Sequence, residues 1–449
     1  GSIFQDGYYK KSSTFYKQYD LRTNIDSKIS KNIKIGLDVA GRMEYRNYGA
    51  RSAGSVFRML MRGKPIYPGY WPNGTPGPDL EYGDNPVVIS TDATGYDRNK
   101  WYIMNSNLKL DINIPWIKGL SFNANASIDK QFQFQKRFET PWYLYSWDQK
   151  TYDASNNPVL IKGIKGFSDP SLTESMQDNQ TILLNGILNY ERSFGKNNFK
   201  ILAGMESIEG EGNSFNAYRR YFISTAIDQM FAGGDKDKNN GGSGYENARL
   251  NYFGRLNYNY AEKVLLEFVG RFDGSYIFPE KGRYGFFPGV SLGWRISEED
   301  FWKENLGFIE NFKLRGSWGQ TGNDRIAEWQ YLSTYATNSS NYTYIFGLDK
   351  ENKLLSEARI PNPNVTWEVA NQSNIGFDAQ LLDNKLSVEF DLFDNRRSNI
   401  LWMRNASVPG STGLSLPREN IGKVKNQGID FNIGYKDKIN DFKYGITVN

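Results

Sequence analysis

The stretch that decides the fold is IKIGLDV, residues 33–39, in which apolar and polar residues alternate one by one. Side chains at every second position lie on one face of a β-strand, and the intervening ones lie on the other face. The preceding stretch YDLRTNID, residues 19–26, alternates in the same way, and only a few residues around SKN, 30–32, lie between the two. Together they predict a hairpin of two amphipathic strands.

The same alternation recurs along the chain, and the connections between strands are short and long by turns. This pattern is typical of a transmembrane β-barrel, in which lipid-facing and lumen-facing residues alternate and short periplasmic turns oppose long extracellular loops. The sequence predicts an all-β, antiparallel barrel wall of about 14 strands. They are 19–26, 33–39, 102–114, 120–134, 180–192, 199–207, 250–260, 264–273, 284–296, 312–320, 366–381, 385–399, 427–435 and 441–448.

Composition narrows the function. The chain has no cysteine and no histidine, which excludes zinc fingers, thiol catalysis and Ser-His-Asp triads. The net charge of +4 is spread along the chain, which argues against a nucleic-acid partner. No apolar run reaches the roughly 18 residues that a membrane-spanning helix needs. Neighbouring carboxylates such as Glu298 and Glu299 are a poor match to a catalytic pair across a cleft, so the chain is predicted not to be an enzyme.

Several segments of the chain match family signatures. They are NYFGRLNY (251–258) with RFDGS (271–275), RYGFFP (283–288) with GWRIS (293–297), LRGSWGQTGN (314–323), NPNVTWE (362–368) with NIGFD (374–378), and NIGKVKNQG (420–428). In this order they resemble the SusC/RagA family of TonB-dependent outer-membrane transporters of Bacteroidota. The resemblance implies a barrel of 22 strands around an N-terminal plug domain. Residues 1–449 would then form part of one barrel domain, with the plug and the terminal strands outside this sequence.

The resemblance also implies a function and partners. The protein would be an active importer in the cell outer membrane, embedded in its lipid, which takes up glycan or peptide fragments. A SusD-like surface lipoprotein would cap it, and the TonB complex would energise it through the N-terminal region. Two alternatives remain open, a passive porin-like channel and a soluble β-rich glycan-binding protein. A plug sequence upstream of Gly1 would distinguish the importer from the porin.

Five charged residues stand in or beside the predicted strands, namely Arg271, Asp273, Arg283, Arg295 and Arg315. An arginine that faces lipid at mid-depth costs about 2–4 kcal/mol, so these residues are expected to face the lumen or the membrane interfaces. There they could hold a plug by salt bridges or line a substrate path. The alternative is a solvated wall with local ion pairs.

The long loops are rich in aromatic residues. Flat rings beside polar side chains combine apolar area with hydrogen-bonding groups, as sugar or peptide capture requires. The alternative is that the rings pack the loops on each other or on a partner. The candidates for substrate contact are Tyr70, Trp71, Trp142, Tyr143, Trp147, Trp329 and Tyr331.

One loop approaches the spacing of a calcium site. Asp235, Asp237, Asn239 and Glu246 stand at positions 1, 3, 5 and 12 of such a loop, but Asn240 occupies the position where glycine is expected. A flexible surface loop is the alternative. No other cofactor is indicated by the sequence.

Overall fold

The computed structural model describes residues 2–6, 14–337, 343–345, 351–353, 355–404 and 416–449, with side chains in 14–335, 360–404 and 416–449. The strands are β1 (Ser2–Asp6), β2 (Phe15–Lys28), β3 (Ile33–Gly49), β4 (Gly95–Asn113), β5 (Leu120–Glu139), β6 (Trp142–Tyr152), β7 (Pro158–Lys165), β8 (Ser171–Phe194), β9 (Asn197–Arg220), β10 (Asn239–Tyr260), β11 (Val264–Ser275), β12 (Tyr284–Arg295), β13 (Ile309–Asn323), β14 (Thr334–Thr337), β15 (Thr343–Ile345), β16 (Glu351–Lys353), β17 (Leu355–Arg359), β18 (Glu368–Leu381), β19 (Leu386–Met403), β20 (Arg418–Ile439) and β21 (Phe442–Val448). The helices are α1 (Ala53–Arg62), α2 (Pro86–Ile89) and α3 (Asp300–Asn305), and single 3₁₀ turns lie at Asp92–Thr94, Met230–Ala232, Glu280–Gly282 and Ile296–Glu298.

One antiparallel sheet of 15 strands dominates the molecule. Its order is β1-β2-β3-β4-β5-β8-β9-β10-β11-β12-β13-β18-β19-β20-β21, so strands that follow each other along the chain lie side by side. The pairs β6–β7, β14–β17 and β15–β16 form separate two-stranded sheets within the loops. Every strand predicted from the sequence is present in the large sheet, and β1 is the additional one. No helix of the described residues is long and apolar enough to cross a membrane.

The register gives the sheet one apolar and one polar face. Paired residues share a face, and Leu37, Leu108 and Ala126 stand in one row across β3, β4 and β5. The next row along these strands carries Asp38 and Asn107, which therefore point to the opposite face. Many large apolar side chains of the first face are exposed, Leu37 and Leu108 among them. An apolar face of this extent requires lipid as its surroundings.

A row of polar and charged residues interrupts the apolar face well before the strands end. On β5 the apolar face is unbroken from Leu120 to Ile128, Lys130 interrupts it, and Phe132 and Phe134 follow on the same face. Across β8, β9 and β10 the row of Lys130 continues through Gln180, Glu211 and Glu246. A tilted strand crosses the hydrocarbon core with about 9–11 residues. The distal parts of these strands therefore extend beyond the lipid, at the end of the sheet opposite the short turns.

This extension corrects one expectation from the sequence. The sequence predicts strands over 199–207 and 250–260 with a long loop between them, yet β9 continues to Arg220 and β10 begins at Asn239. Beyond the lipid the alternation of apolar and polar residues is lost, so periodicity no longer reveals a strand. The pairing of β9 with β8 and β10 nevertheless continues without interruption.

Two of the long loops fold together into a small module on the extracellular side. Its core contains Met59 of α1, Ile89 of α2 and Trp142 and Leu144 of β6. Arg51 and the fully buried Asp84 form an ion pair at 2.6 Å within this module. A second core, around Phe278 and Trp367, lies between the loops that follow β11 and β13. The loops on this side are thus folded structures with their own packing.

Candidate functional site

The polar face contains a concave region near the short turns. It is about 720 Å³ in volume and is lined by charged and polar residues of β9 to β13, including Lys200, Arg255, Glu267 and Arg315. We call this region the ionic wall. Arg255 and Glu267 lie on β10 and β11, with the Arg255 Nε donating to Glu267 Oε2 at 2.8 Å. Opposite charges on adjacent strands therefore compensate each other across this face.

Arg315 forms the densest part of the ionic wall. Its Nε donates to Asp378 Oδ1 at 2.8 Å, and its Nη2 donates to Asp391 Oδ2 at 2.6 Å. In the register Arg315 stands beside Gly376, which stands beside Asp391. The guanidinium therefore reaches across β18 to β19, which is open because Gly376 lacks a side chain. Charge-assisted contacts of this kind are the stronger hydrogen bonds in proteins.

The other predicted wall charges have different surroundings. Arg271 and Asp273 lie on the polar face of β11 and contact each other, with 2.8 Å between Nη2 and Oδ1. Arg295 ends β12 and donates to Glu298 at 3.0 Å, at the end with the short turns. Arg283 lies outside the strands and is exposed. Four of the five residues therefore lie on the polar face, and their proposed contacts with a plug or a substrate stay a prediction.

The structure contradicts the prediction for Trp142. Its side chain is only 7% exposed, packs in the core of the extracellular module and donates Nε1–H to the Gly83 carbonyl oxygen at 2.9 Å. The reason is the alternation of strand β6, which turns Trp142 and Leu144 inward and the residues between them outward. In this position Trp142 stabilises the core of the module, and its side chain offers little surface to a substrate.

Two other aromatic candidates lie on the outward face of the same hairpin. Tyr143 and Trp147 share that face with Tyr145. The Trp71 Nε1–H donates to the Tyr145 carbonyl oxygen at 2.8 Å, which joins the first long loop to the hairpin. Tyr70 precedes Trp71 and is half-exposed. The structure thus brings Trp71, Tyr143 and Trp147 to one region, with Tyr70 beside it.

Trp329 and Tyr331 form a separate aromatic cluster with Tyr276. The ring centroids of Trp329 lie 6.1 Å from Tyr276 and 6.3 Å from Tyr331. Burial and a hydrogen bond to Glu328 raise the pKa of Tyr276 to about 12. Trp329 lines two adjoining cavities of about 530 and 430 Å³. Sequence analysis missed Tyr276, although it directly follows the RFDGS motif.

The calcium candidates are not gathered into a site. Asp235 accepts a hydrogen bond from Arg219 Nη1 at 2.8 Å, and this contact holds the pKa of Asp235 below its usual range. Asp237 lies in the loop before β10, Asn239 begins that strand, and Glu246 lies further along it on the outward row. Among the residues that the structure describes, no three acidic side chains come together in a way that could hold a metal ion.

Comparison with known proteins identifies this architecture. The family model described as TonB dependent receptor-like, beta-barrel, matches residues 11–449. The chain belongs to this family. It is 26% identical over 465 residues to TonB-dependent receptor P3 of Formosa agariphila, covering all of this chain and 43% of that protein. It is 25% identical over 440 residues to the TonB-dependent receptor SusC of Bacteroides thetaiotaomicron, covering 91% of this chain and 40% of SusC.

The TonB-dependent receptor fold also appears in solved structures. A chain of the RagAB peptide importer in its closed-closed state aligns with a TM-score of 0.73 at 23% identity, covering 97% of this chain and 47% of that one. The predicted SusC/RagA resemblance, the all-β fold and the outer-membrane location are confirmed by these matches. The prediction that the chain is not an enzyme is confirmed by the same membership. The chain spans less than half the length of these relatives.

Proposed function

We propose that this chain is the barrel wall of an active outer-membrane importer for oligomeric nutrients, either glycan or peptide fragments. The observation that carries the proposal is the contrast between the two faces of the same strands. One face is apolar, exposed and of the height of a membrane, while the other is concave and carries compensated charges. Such a wall separates lipid from a hydrated interior.

The energy for transport and a lid over the barrel would come from partner proteins. We propose that a TonB complex acts through a part of the protein outside this chain, as the names of the relatives suggest. The ionic wall would face the plug. Its paired charges offer fixed contacts for a second surface, and Arg315 is the central one.

A SusD-like surface lipoprotein is the proposed lid. Helix α1 supports this assignment because it is apolar on two sides. Met59 is buried in the extracellular module, whereas Phe57 and Met61 are 64% and 86% exposed. Apolar side chains that stay exposed outside the lipid are typical of a protein contact.

The decisive experiment measures uptake by cells that produce the full-length protein. Fluorescent oligosaccharides and peptides are supplied with and without an uncoupler that collapses the proton motive force. An active importer is expected to lose uptake in the presence of the uncoupler and in a strain without TonB. Uptake that is unchanged under both conditions would instead establish the passive porin-like channel.

A second experiment tests the lid. The variant with Phe57→Ser and Met61→Ser is expected to lose a copurifying lipoprotein in mild detergent. The matched control carries Ile223→Ser and Phe231→Ser, since these residues are also highly exposed but lie in another extracellular loop. Equal retention of the lipoprotein by both variants would exclude α1 as its docking site.

A further inference from the structure

The inner face of the sheet carries a neutral region beyond the row of Lys130. Three consecutive inward-facing residues on each of four strands form a continuous patch in register, within Gln131–Gln135 of β5, Ser175–Asn179 of β8, Gly212–Asn216 of β9 and Gly241–Tyr245 of β10. We call this the amide patch. None of its inward-facing residues is charged, although charged residues make up 23% of the chain. A cavity of about 410 Å³ lies over part of it.

Charged residues border the amide patch at both ends of its β5 segment. Along β5, Asp129 precedes it and Arg137 follows it on the same face. On this strand the neutral residues of the patch are therefore bounded by a charged residue at each end, whereas the flanking residues of β8, β9 and β10 are uncharged. The side chains of the patch are amides and hydroxyls, which offer both donors and acceptors, together with one aromatic ring.

The Tyr245 ring lies against the backbone of Gly212. A Cβ atom at Gly212 would be 2.2 Å from a ring carbon of Tyr245, so only glycine admits this arrangement. The Tyr245 hydroxyl points to Asn179 Oδ1 at 3.5 Å, and the side chain is 45% exposed. The ring is thus in close contact with the wall, while nearly half of the side chain remains exposed.

Much of the hydrogen-bonding capacity around this ring is unused. Within the part of the chain that the structure describes, the side chains of Gln177 and Asn216 make no hydrogen bond. Gln133 donates to Asn99 at 3.1 Å, which leaves its carbonyl oxygen available. The hydroxyl groups of Ser214 and Ser243 are 2.9 Å apart and bond to each other.

These features select the chemistry of a ligand. A sugar ring carries apolar C–H groups that pack on an aromatic face and hydroxyl groups that both donate and accept. A sulfate, uronate or charged peptide side chain would find no opposite charge here and would lose hydration without compensation. We propose that the amide patch binds an uncharged oligosaccharide, with the Tyr245 ring as its stacking surface. This inference rests on the proposed function and narrows its substrate class.

A ring over a glycine also has a purely structural use, since it shields the backbone and helps to fix strand register. The two roles differ in what a variant changes. A structural ring affects the stability of the protein, whereas a stacking surface affects binding at unchanged stability. The variants below are therefore compared both in binding and in thermal unfolding.

The test uses the full-length protein in detergent and titration calorimetry. The probes are maltohexaose, cellohexaose and mannohexaose as neutral sugars, oligogalacturonate as a charged sugar, and a mixture of hexapeptides. Binding of at least one neutral sugar, with weaker binding of oligogalacturonate, is expected. Gln177→Glu is expected to weaken this binding about tenfold or more, which corresponds to about 1.4 kcal/mol.

Gln180→Glu is the matched control. Gln180 lies on the same strand, three residues further on, but on the opposite face of the sheet. It should bind sugar as the unmodified protein does. Tyr245→Phe should also retain binding, whereas Tyr245→Ala should weaken it about tenfold without changing the melting temperature.

Three results would overturn the inference: preference for oligogalacturonate or for peptides, equal effects of Gln177→Glu and Gln180→Glu, or loss of stability in Tyr245→Ala without loss of binding. If the protein imports peptides in a TonB-dependent manner and binds none of the neutral sugars, this inference fails while the proposed function stands. If uptake is insensitive to the uncoupler but the sugars still bind at the patch, the proposed function fails instead.

Discussion

The ionic wall and the amide patch occupy the same face of one sheet, yet their polar side chains differ in whether they are paired with each other. In the ionic wall, charges on neighbouring strands pair with each other, as Arg315 does with Asp378 and Asp391. In the amide patch, side chains such as Gln177 keep their hydrogen-bonding groups unpaired. Paired charges hold strands together and present a fixed surface. Unpaired amides cost little in water and remain available to a ligand.

The difference indicates which part of the sheet is fixed by its own side-chain contacts and which part can bind a ligand. The ionic wall lies behind the apolar band, where an unpaired charge would be costly, so its charges are compensated. The amide patch lies beyond the row of Lys130 and Gln180, and the cavity over it is open on the inner face of the sheet. The following tests are ordered from the largest expected effect to the smallest.

Arg315→Met should give the largest loss of stability. The change leaves Asp378 and Asp391 without their shared cation, which is expected to cost about 2–3 kcal/mol, somewhat less than for a fully buried pair. The measurement is the urea midpoint of the full-length protein in detergent. Gln177→Ala, in the amide patch, should change the free energy of unfolding by less than about 0.5 kcal/mol. Equal losses in both variants would remove the distinction between the two regions.

Glycine-to-alanine changes should destabilise the ionic wall more than the amide patch. A Cβ at Gly376 would meet the Phe390 carbonyl oxygen at 2.4 Å and Asp391 Oδ1 at 2.5 Å, so Gly376→Ala should cost about 1–3 kcal/mol. In Gly212→Ala, the half-exposed Tyr245 ring is free to swing into the interior, and the cost should stay below about 1 kcal/mol. Thermal unfolding of both variants measures this. A larger loss in Gly212→Ala would show that the patch is the more rigid region.

The pair of Arg255 and Glu267 should give a smaller and salt-dependent effect. A double-mutant cycle with Arg255→Gln and Glu267→Gln is expected to yield about 0.2–1 kcal/mol at low salt, because both side chains are partly exposed. At about 0.5 M salt the coupling should shrink through screening. A cycle on Ser214 and Ser243, which carry no charge, serves as the control and should not respond to salt.

Acid should lower the stability of the end with the short turns and leave sugar binding at the amide patch unchanged. Hydrogen bonds from Lys303 and Lys263 hold the pKa values of Glu298 and Glu299 below their usual range. Their contribution to stability is present above the unfolded-state pKa of about 4.3 and is lost as the pH falls through the lower folded-state values. Melting temperatures measured between about pH 6 and pH 3 should therefore fall less in Lys263→Met. Sugar binding at the uncharged patch should not follow this titration.

The strands were largely predictable because burial in lipid imposes a local pattern. Apolar residues at every second position mark a strand wherever one face contacts hydrocarbon, as in 33–39. That signal disappears beyond the lipid, which is why the extended parts of β9 and β10 were interpreted as a loop. The same reason hid Tyr245, whose position became apparent only from the register with Gly212.

For the candidate residues, too, the sequence revealed the kind of residue, and the tertiary structure revealed its position. Sequence alone recognised loop aromatics and wall charges as classes, because their chemistry is visible in the letters. It could not tell that Trp142 points inward and Tyr143 outward, since this depends on which face of β6 meets the core around Met59. It also could not separate Trp329 from Trp147, because the folding of distant loops decides which rings share a surface.

The sequence by itself determined the class of the fold, the outer-membrane setting and the family, because strand periodicity and local motifs are properties of short stretches. Only the tertiary structure decided how high the strands extend, which charges are paired and where the neutral patch lies. These features depend on contacts between residues far apart in the chain, such as Arg315 with Asp391. Their positions follow from strand register, which the pairing of whole strands sets.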